Sequence, residues 1–372
     1  MQARPRSGYF VQAPVRLRPA PVNNPTEAQQ PPRDNWQYST LHLPGPDGHP
    51  ACFFNLTTFQ MKHRLLQITP LLPALDVQLA EHFDLQLMPS SAEVPAFLQA
   101  HGAEFVGLVT SAVSGASAEL MTALPNLRVI SSFGVGFDKV DIPHAQARGI
   151  PVGTTPGVLD DCVADLALTL LLDVARGASA ADRFVRRGDW LRGRAPLGTR
   201  VSGKRMGILG MGRIGQAIAK RAAGFDMTVG YHNRREVPGT GFEYLPSPTS
   251  LAAWADFLVV VVAGGASTRH LVSREVLDAL GPQGFLINVA RGSVIDEAAL
   301  VQALLDQRIA GAGLDVFEDE PRVPSALFEL DNVVLLPHIA SGTHDTRQAM
   351  ADLVFDNLQS FFKTGQVRSG AY

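Results

Sequence analysis

Met206-Gly207-Ile208-Leu209-Gly210-Met211-Gly212-Arg213-Ile214-Gly215 decides the fold of this chain. An apolar, strand-like run from Met206 to Leu209 passes directly into Gly-x-Gly-x-x-Gly, and the last glycine lies in the helix-like stretch Ile214 to Ala223. In such a strand–loop–helix setting the first glycine turns tightly, the second lets a pyrophosphate approach the backbone, and the third packs helix on strand. The helix N-terminus also presents unpaired N–H groups and a positive dipole end to phosphate. Gly210, Met211, Gly212, Arg213, Ile214 and Gly215 are read on this basis as a dinucleotide-binding turn. The competing reading is a Gly-rich turn without a ligand.

The next strand candidate ends Tyr231-His232-Asn233-Arg234-Arg235, with Asn233 eighteen residues after Gly215. An NAD-binding turn places a carboxylate near that spacing to grip the ribose hydroxyls. Asn233 removes a charge that would repel a 2′-phosphate, and Arg234 and Arg235 offer charge-assisted bonds to one. NADP(H) is expected in preference to NAD(H), which stays possible; the alternative is that the two arginines only solvate a turn.

Outward from this turn, strand candidates recur at Met227–Tyr231, Phe257–Val262, Phe285–Val289, Gly311–Leu314 and Val333–Leu336, separated by helix-period stretches. With Met206–Leu209 this predicts a six-stranded, doubly wound parallel sheet over 161–343. Upstream, Leu65–Ile68, Val106–Val109 and Leu127–Ile130 alternate with helical runs, which predicts a second, smaller sheet over 61–160. The fold class is α/β, with two Rossmann-like doubly wound domains and a cleft between them. Asp161 to Arg187 is expected to form one long helix, and Met350 to Phe362 an amphipathic helix in a C-terminal segment, 344–372, that returns to the first domain.

Residues 1–60 differ in texture, holding ten of the 26 prolines and little apolar periodicity. They are expected to be a disordered, Pro-rich extension, with the folded protein and a candidate translation start at Met61. Five arginines and one acid among the first 33 residues suit a transit peptide, but the prolines would break its amphipathic helix. The 372 residues suffice for two domains. No stretch approaches the roughly 18 to 20 apolar residues of a membrane span. Lys and Arg total 32 against 35 acids, so the net charge of -3 gives no drive toward nucleic acid. Cys52 and Cys162 are the only cysteines, without metal-ligand spacing, so no metal is expected and a reduced cytoplasm fits.

Ligands of an open parallel sheet lie beyond the carboxyl ends of its strands, so polar residues there carry the chemistry. Phe285–Val289 leads to Arg291, Gly311–Leu314 leads to Glu320, and Val333–Leu336 ends in His338. Arg291 offers a fork of donors to a keto oxygen and a carboxylate as a hydride arrives. His338 can give the proton to the developing alkoxide near neutrality, and Glu320 can orient the ring and favour its charged form. Separately each has a plain structural reading. Together, beside a dinucleotide turn, they predict reduction of a 2-keto acid.

These residues, with Leu124–Asp141, Asn288–Gly292, Gly313–Phe317 and Leu336-Pro337-His338, resemble the D-isomer-specific 2-hydroxyacid dehydrogenase family from Met61 to the C-terminus. Ser131–Asp141 and Tyr231–Arg235 are similar to its NADPH-preferring glyoxylate/hydroxypyruvate and hydroxyphenylpyruvate reductases. The resemblance implies catalytic Arg291, Glu320 and His338, an Asp315 that contacts the nicotinamide carboxamide, and Ala290 on the cofactor side. It implies that the Val113-Ser114-Gly115 loop holds the substrate carboxylate through backbone N–H groups. Val135 and Gly136 then approach the nicotinamide side of the substrate site, and the Asp161–Arg187 stretch contributes to a homodimer interface. Where the family often has Pro-Leu-Thr, this chain has Ala263-Gly264-Gly265, so contacts there are open. A dinucleotide-sensing binding protein of the co-repressor type is the alternative.

Overall fold

A computed structural model describes residues 62–372, together with the backbone of a short antiparallel pair, Leu43–Pro44 with Pro50–Ala51. The chain divides into two units, 1–60 and 61–372. Apart from that pair, the segment 1–60, where disorder was expected, lies outside the described residues.

Two parallel sheets organise the second unit. The first contains β1 (Arg64–Gln67), β2 (Asp84–Leu87), β3 (Gly107–Ser111), β4 (Val129–Phe133) and β5 (Val152–Gly153), in the order β2-β1-β3-β4-β5. The second contains β6 (Arg205–Leu209), β7 (Thr228–His232), β8 (Glu243–Tyr244), β9 (Phe257–Val260), β10 (Phe285–Asn288), β11 (Gly311–Leu314) and β12 (Val333–Leu335). Its order is β8-β7-β6-β9-β10-β11-β12, which reverses between β6 and β9. Such a switch point opens a crevice at the strand ends, and the glycine turn follows β6 directly into it. Strands β9 and β10 are buried at every residue, the continuous apolar pattern of a sheet covered on both faces. The molecule is therefore α/β with two Rossmann-like layers. The sheet has seven strands where six were expected: Glu243–Tyr244 is a two-residue edge strand, too short to show periodicity.

Helices α1 (Pro73–His82), α2 (Val94–His101), α3 (Ala118–Thr122) and α4 (Ile142–Ala147) belong to the first half, and α8 (Pro248–Trp254), α9 (Arg274–Leu280) and α10 (Glu297–Leu305) alternate with the strands of the second sheet. The expected helix Asp161–Arg187 is two helices. Helix α5 (Asp160–Arg176) stops at Gly177, whose φ of 62° ends it in the left-handed conformation, and α6 (Ala178–Arg186) starts afresh. The Asp173 carboxylate accepts the Ser179 N–H at 2.7 Å, which serves the new helix start. Ala167, Leu170 and Leu171 of α5 are fully buried, and α5 packs on β10 and β11. The last helix, α11 (His344–Thr364), begins six residues before the expected start, its polar first turn capped by Thr343. It returns to the first sheet, where Ser131 Oγ donates to the Val354 carbonyl at 3.0 Å and Asn357 Nδ2 to the Thr154 carbonyl at 3.1 Å. No helix among the described residues is long and apolar enough to cross a membrane.

Candidate functional site

The carboxyl ends of both sheets open onto one cleft of about 590 Å³, a size suited to small ligands and cofactors. On the side of the second sheet, helix α7 (Arg213–Ala222) takes Gly212 as its N-cap without any side-chain cap. Its first-turn N–H groups are therefore left for a ligand, and Gly212 to Gly215 line the cleft. Gly215 sits so close to the preceding turn that a Cβ there would stand 2.2 Å from the Gly210 carbonyl oxygen. Asn233 Oδ1 accepts the Met211 N–H at 2.7 Å and ties the turn to the end of β7. Arg234 and Arg235 follow, exposed and outside the cleft lining, and no carboxylate pairs with either among the described residues. An uncapped helix start beside two open guanidinium groups fits a phosphorylated dinucleotide.

Arg291 leaves β10 on a turn held by the buried Asn288, whose Nδ2 donates to the Arg291 carbonyl and whose Oδ1 accepts the Ala290 N–H, each at 3.0 Å. Its guanidinium is fixed from three sides. Nε donates to Asp138 Oδ1 at 3.1 Å, and Nη1 donates to the Ala290 carbonyl at 2.7 Å. Nη2 lies where a Cβ on residue 136 would be, 1.6 Å away, so Gly136 makes its room. A Cβ on Gly264 would in turn meet Arg291 Cγ at 2.8 Å. The chain's departure from the Pro-Leu-Thr pattern thus leaves space for the arginine and its Asp138 partner.

His338 follows β12 and adopts φ 55°, a left-handed conformation that costs a non-glycine residue about 1 to 3 kcal/mol. Asp315 holds this turn. Its carbonyl accepts the His338 N–H at 2.9 Å, and its carboxylate oxygens accept those of Ile339 at 2.7 Å and Ala340 at 2.8 Å. Burial pushes the Asp315 carboxyl up, against the pull of those two N–H groups. Facing the cleft, His338 Nδ1 lies 2.7 Å from Glu320 Oε2, while Glu320 Oε1 accepts the Phe317 N–H at 3.1 Å. Burial alone would raise the Glu320 carboxyl. The bond from His338, the charge of His338, the Phe317 N–H and Arg291 together hold it below its usual range. An ionised Glu320 accepts, so Nδ1 carries a proton and Nε2 is the nitrogen free to exchange one.

Arg291, Glu320, His338, Ala290, Val135, Gly136 and the glycine turn from Gly212 share this cleft. Ser114 and Gly115 do not line it, and their N–H groups are committed to the Ser111 hydroxyl at 3.1 Å and the Ser111 carbonyl at 2.8 Å. Only Val113 of that loop reaches the lining. Asp315 lies beneath the floor with both carboxylate oxygens engaged, so its observed work is on the His338 turn. Sequence reasoning gave no role to Asp138, Asn288, Asp160 or Arg347. Asn288 closes the strand that delivers Arg291, a signal that was available; the others meet the site through distant partners.

Three comparisons bear on this geometry. Residues 168–340 match the family model described as D-isomer specific 2-hydroxyacid dehydrogenase, NAD binding domain. The chain is 46% identical over 298 residues to glyoxylate/hydroxypyruvate reductase A of Arabidopsis thaliana, covering 80% of this chain and 95% of the relative. It is 47% identical over 298 residues to the hydroxyphenylpyruvate reductase of Plectranthus scutellarioides, with the same coverage. Among solved structures, an NADPH-dependent glyoxylate/hydroxypyruvate reductase from Sinorhizobium meliloti, in complex with NADP and malonate, superposes with a TM-score of 0.79 at 44% identity. That match covers 83% of this chain and 96% of the other. Likeness at this level extends through both sheets and the cleft, and the chain belongs to the D-isomer specific 2-hydroxyacid dehydrogenase family, as a nicotinamide-dependent oxidoreductase.

Proposed function

We propose that this enzyme reduces a small 2-keto acid, of the glyoxylate, hydroxypyruvate or aryl-pyruvate kind, to the D-2-hydroxy acid with NADPH. The observation that carries the reading is the convergence of Arg291 and the Glu320–His338 pair in one cleft with the uncapped start of α7. When bound, the reduced nicotinamide supplies the hydride. Arg291, set by Asp138 and Gly136, directs donors at the keto oxygen and carboxylate and stabilises the negative charge that develops on the oxygen. Val135 and Gly136 line the cleft beside Arg291, and their N–H groups complete the carboxylate's seat. His338 delivers the proton from Nε2 to the same oxygen, and Glu320 keeps the ring oriented through Nδ1.

Asn233, Arg234 and Arg235 favour NADPH over NADH through a 2′-phosphate. Substrate recognition is assigned to 61–160 with 344–372, and dinucleotide binding to 161–343. The same reading takes the protein as a cytoplasmic homodimer. Exposed Val185, Trp190, Leu191 and Leu197, on and after α6, support the dimer, and the sparing use of cysteine supports the compartment. The sensor alternative is disfavoured by the relatives' reductase activities.

The test is NADPH oxidation with glyoxylate, hydroxypyruvate and hydroxyphenylpyruvate, each repeated with NADH. Turnover with at least one, faster with NADPH, is expected. Tight NADPH binding without turnover of any 2-keto acid would overturn the reductase reading.

A further inference from the structure

Seven ionisable side chains line the cleft, and six of them are matched in three acid–base pairs. Arg291 pairs with Asp138 at 3.1 Å, Arg213 with Asp160 at 2.8 Å, and His338 with Glu320 at 2.7 Å. The seventh, Arg347, has no hydrogen bond or ion pair from its side chain among the described residues. It lies on the first turn of α11, with its guanidinium 5.5 Å from the centre of the Phe133 ring, and Met350 continues the same wall one turn on.

The stacking on Phe133 is the one contact among the described residues that favours a cation here, and no acidic side chain is paired with it. The positive end of a helix dipole disfavours a cation in the first turn. Burial lowers the Arg347 pKa, and the nearby Asp315 carboxylate opposes this only in part. The Asp315 carboxylate is already bonded to the Ile339 and Ala340 N–H groups and points its oxygens there.

We propose that Arg347 is a specificity-determining residue, the one uncompensated cation of the cleft, which selects a substrate carrying a single negative charge over a neutral carbonyl compound. The Arg291–Asp138 and Arg213–Asp160 pairs position groups and cancel in charge, and the His338–Glu320 pair does so when His338 carries the proton it delivers. Arg347 is then the charge that the carboxylate of a 2-keto acid neutralises on entry, acting across the cleft rather than at the reacting carbon. This rests on the reductase reading for its substrate, and extends it by naming the group that imposes the anion requirement.

The test compares wild type with Arg347→Met and Arg347→Lys on glyoxylate and on methyl glyoxylate, its neutral ester, with NADPH. A single charge acting at about 8 to 10 Å in a protein-like dielectric changes affinity by about tenfold. Arg347→Met is expected to raise KM for glyoxylate by about that factor, to move kcat much less, and to leave KM for the ester nearly where it was. Arg347→Lys should recover most of the glyoxylate affinity, and Arg347→Gln carries the comparison where the Met variant does not fold. Oxalate binding to the NADPH-loaded protein, followed by tryptophan fluorescence, should weaken by a similar factor in the Met variant. Equal shifts on glyoxylate and ester, unchanged oxalate affinity, or an effect confined to KM for NADPH would overturn the proposal. A wild type that turns over no 2-keto acid defeats the reductase reading instead, and the oxalate measurement still decides the role of Arg347.

Discussion

The two sheets feed one cleft in different ways. The seven-stranded sheet sends reactive side chains from consecutive strand ends: Arg291 after β10, Glu320 after β11 and His338 after β12. The five-stranded sheet sends mainly backbone, the Gly134-Val135-Gly136 turn after β4, with the Asp138 carboxylate beyond it. Each reactive residue of the larger sheet is tied within that sheet, Arg291 through Asn288 and His338 through Asp315. Only Arg291 is also tied across the cleft, by Asp138. The lesson is a division of labour, in which one lobe builds the chemistry and the other supplies the fit that aims it.

The sharpest way to break that division is to remove the proton donor. His338→Ala is expected to lower kcat for glyoxylate reduction by about 10² to 10⁴, the usual weight of a general acid. NADPH affinity, measured by fluorescence, should change little because the glycine turn and the Arg234–Arg235 pair are untouched. Near-normal turnover in that variant would remove His338 as donor and leave the larger sheet as a nucleotide platform.

Asp138→Asn probes the other lobe. The substitution keeps the shape but weakens the bond to Arg291 Nε and leaves the guanidinium charge uncompensated. Loss of a charge-assisted hydrogen bond, at about 1.5 to 3 kcal/mol, corresponds to a fall of about tenfold to a hundredfold in kcat/KM. KM for NADPH should be unaffected. If kcat/KM holds, the smaller sheet contributes only its backbone and the aiming of Arg291 belongs to Asn288 and Ala290.

Much of this was legible in the sequence where a signal is local. The glycine turn, the strand-end positions of Arg291 and His338 and the α/β alternation depend on neighbours within a few residues. The edge strand Glu243–Tyr244 carries too few residues for a period, and Gly177 breaks a helix whose apolar spacing runs on past it. Asp138 and Arg347 stayed silent for another reason. Asp138 meets Arg291 across 153 positions of chain, and Arg347 reaches the cleft only because α11 folds back onto the first sheet. Ser114 shows the converse error: its loop matches a known pattern, yet its N–H is turned inward to Ser111.

The smallest expected effect concerns the rim of the larger sheet, where selection between cofactors is separate from chemistry. Arg234 is exposed and unpaired among the described residues, so its removal should not disturb the fold. Placing a carboxylate there brings a like charge toward a 2′-phosphate and, at the same time, sets an acid beside Asn233, close to where ribose hydroxyls find one in an NAD-binding turn. Arg234→Asp is therefore expected to raise KM for NADPH by about tenfold, the weight of one charge-assisted contact in a solvated setting. KM for NADH should stay level or fall, and kcat with either cofactor should follow the wild type because Arg291 and His338 are untouched. Steady-state titration of both cofactors at saturating glyoxylate reads the difference directly. Equal rises for NADPH and NADH would mean that Arg234 serves the turn held by Asn233 and Met211, and the preference for the phosphorylated cofactor would then have to lie with Arg235.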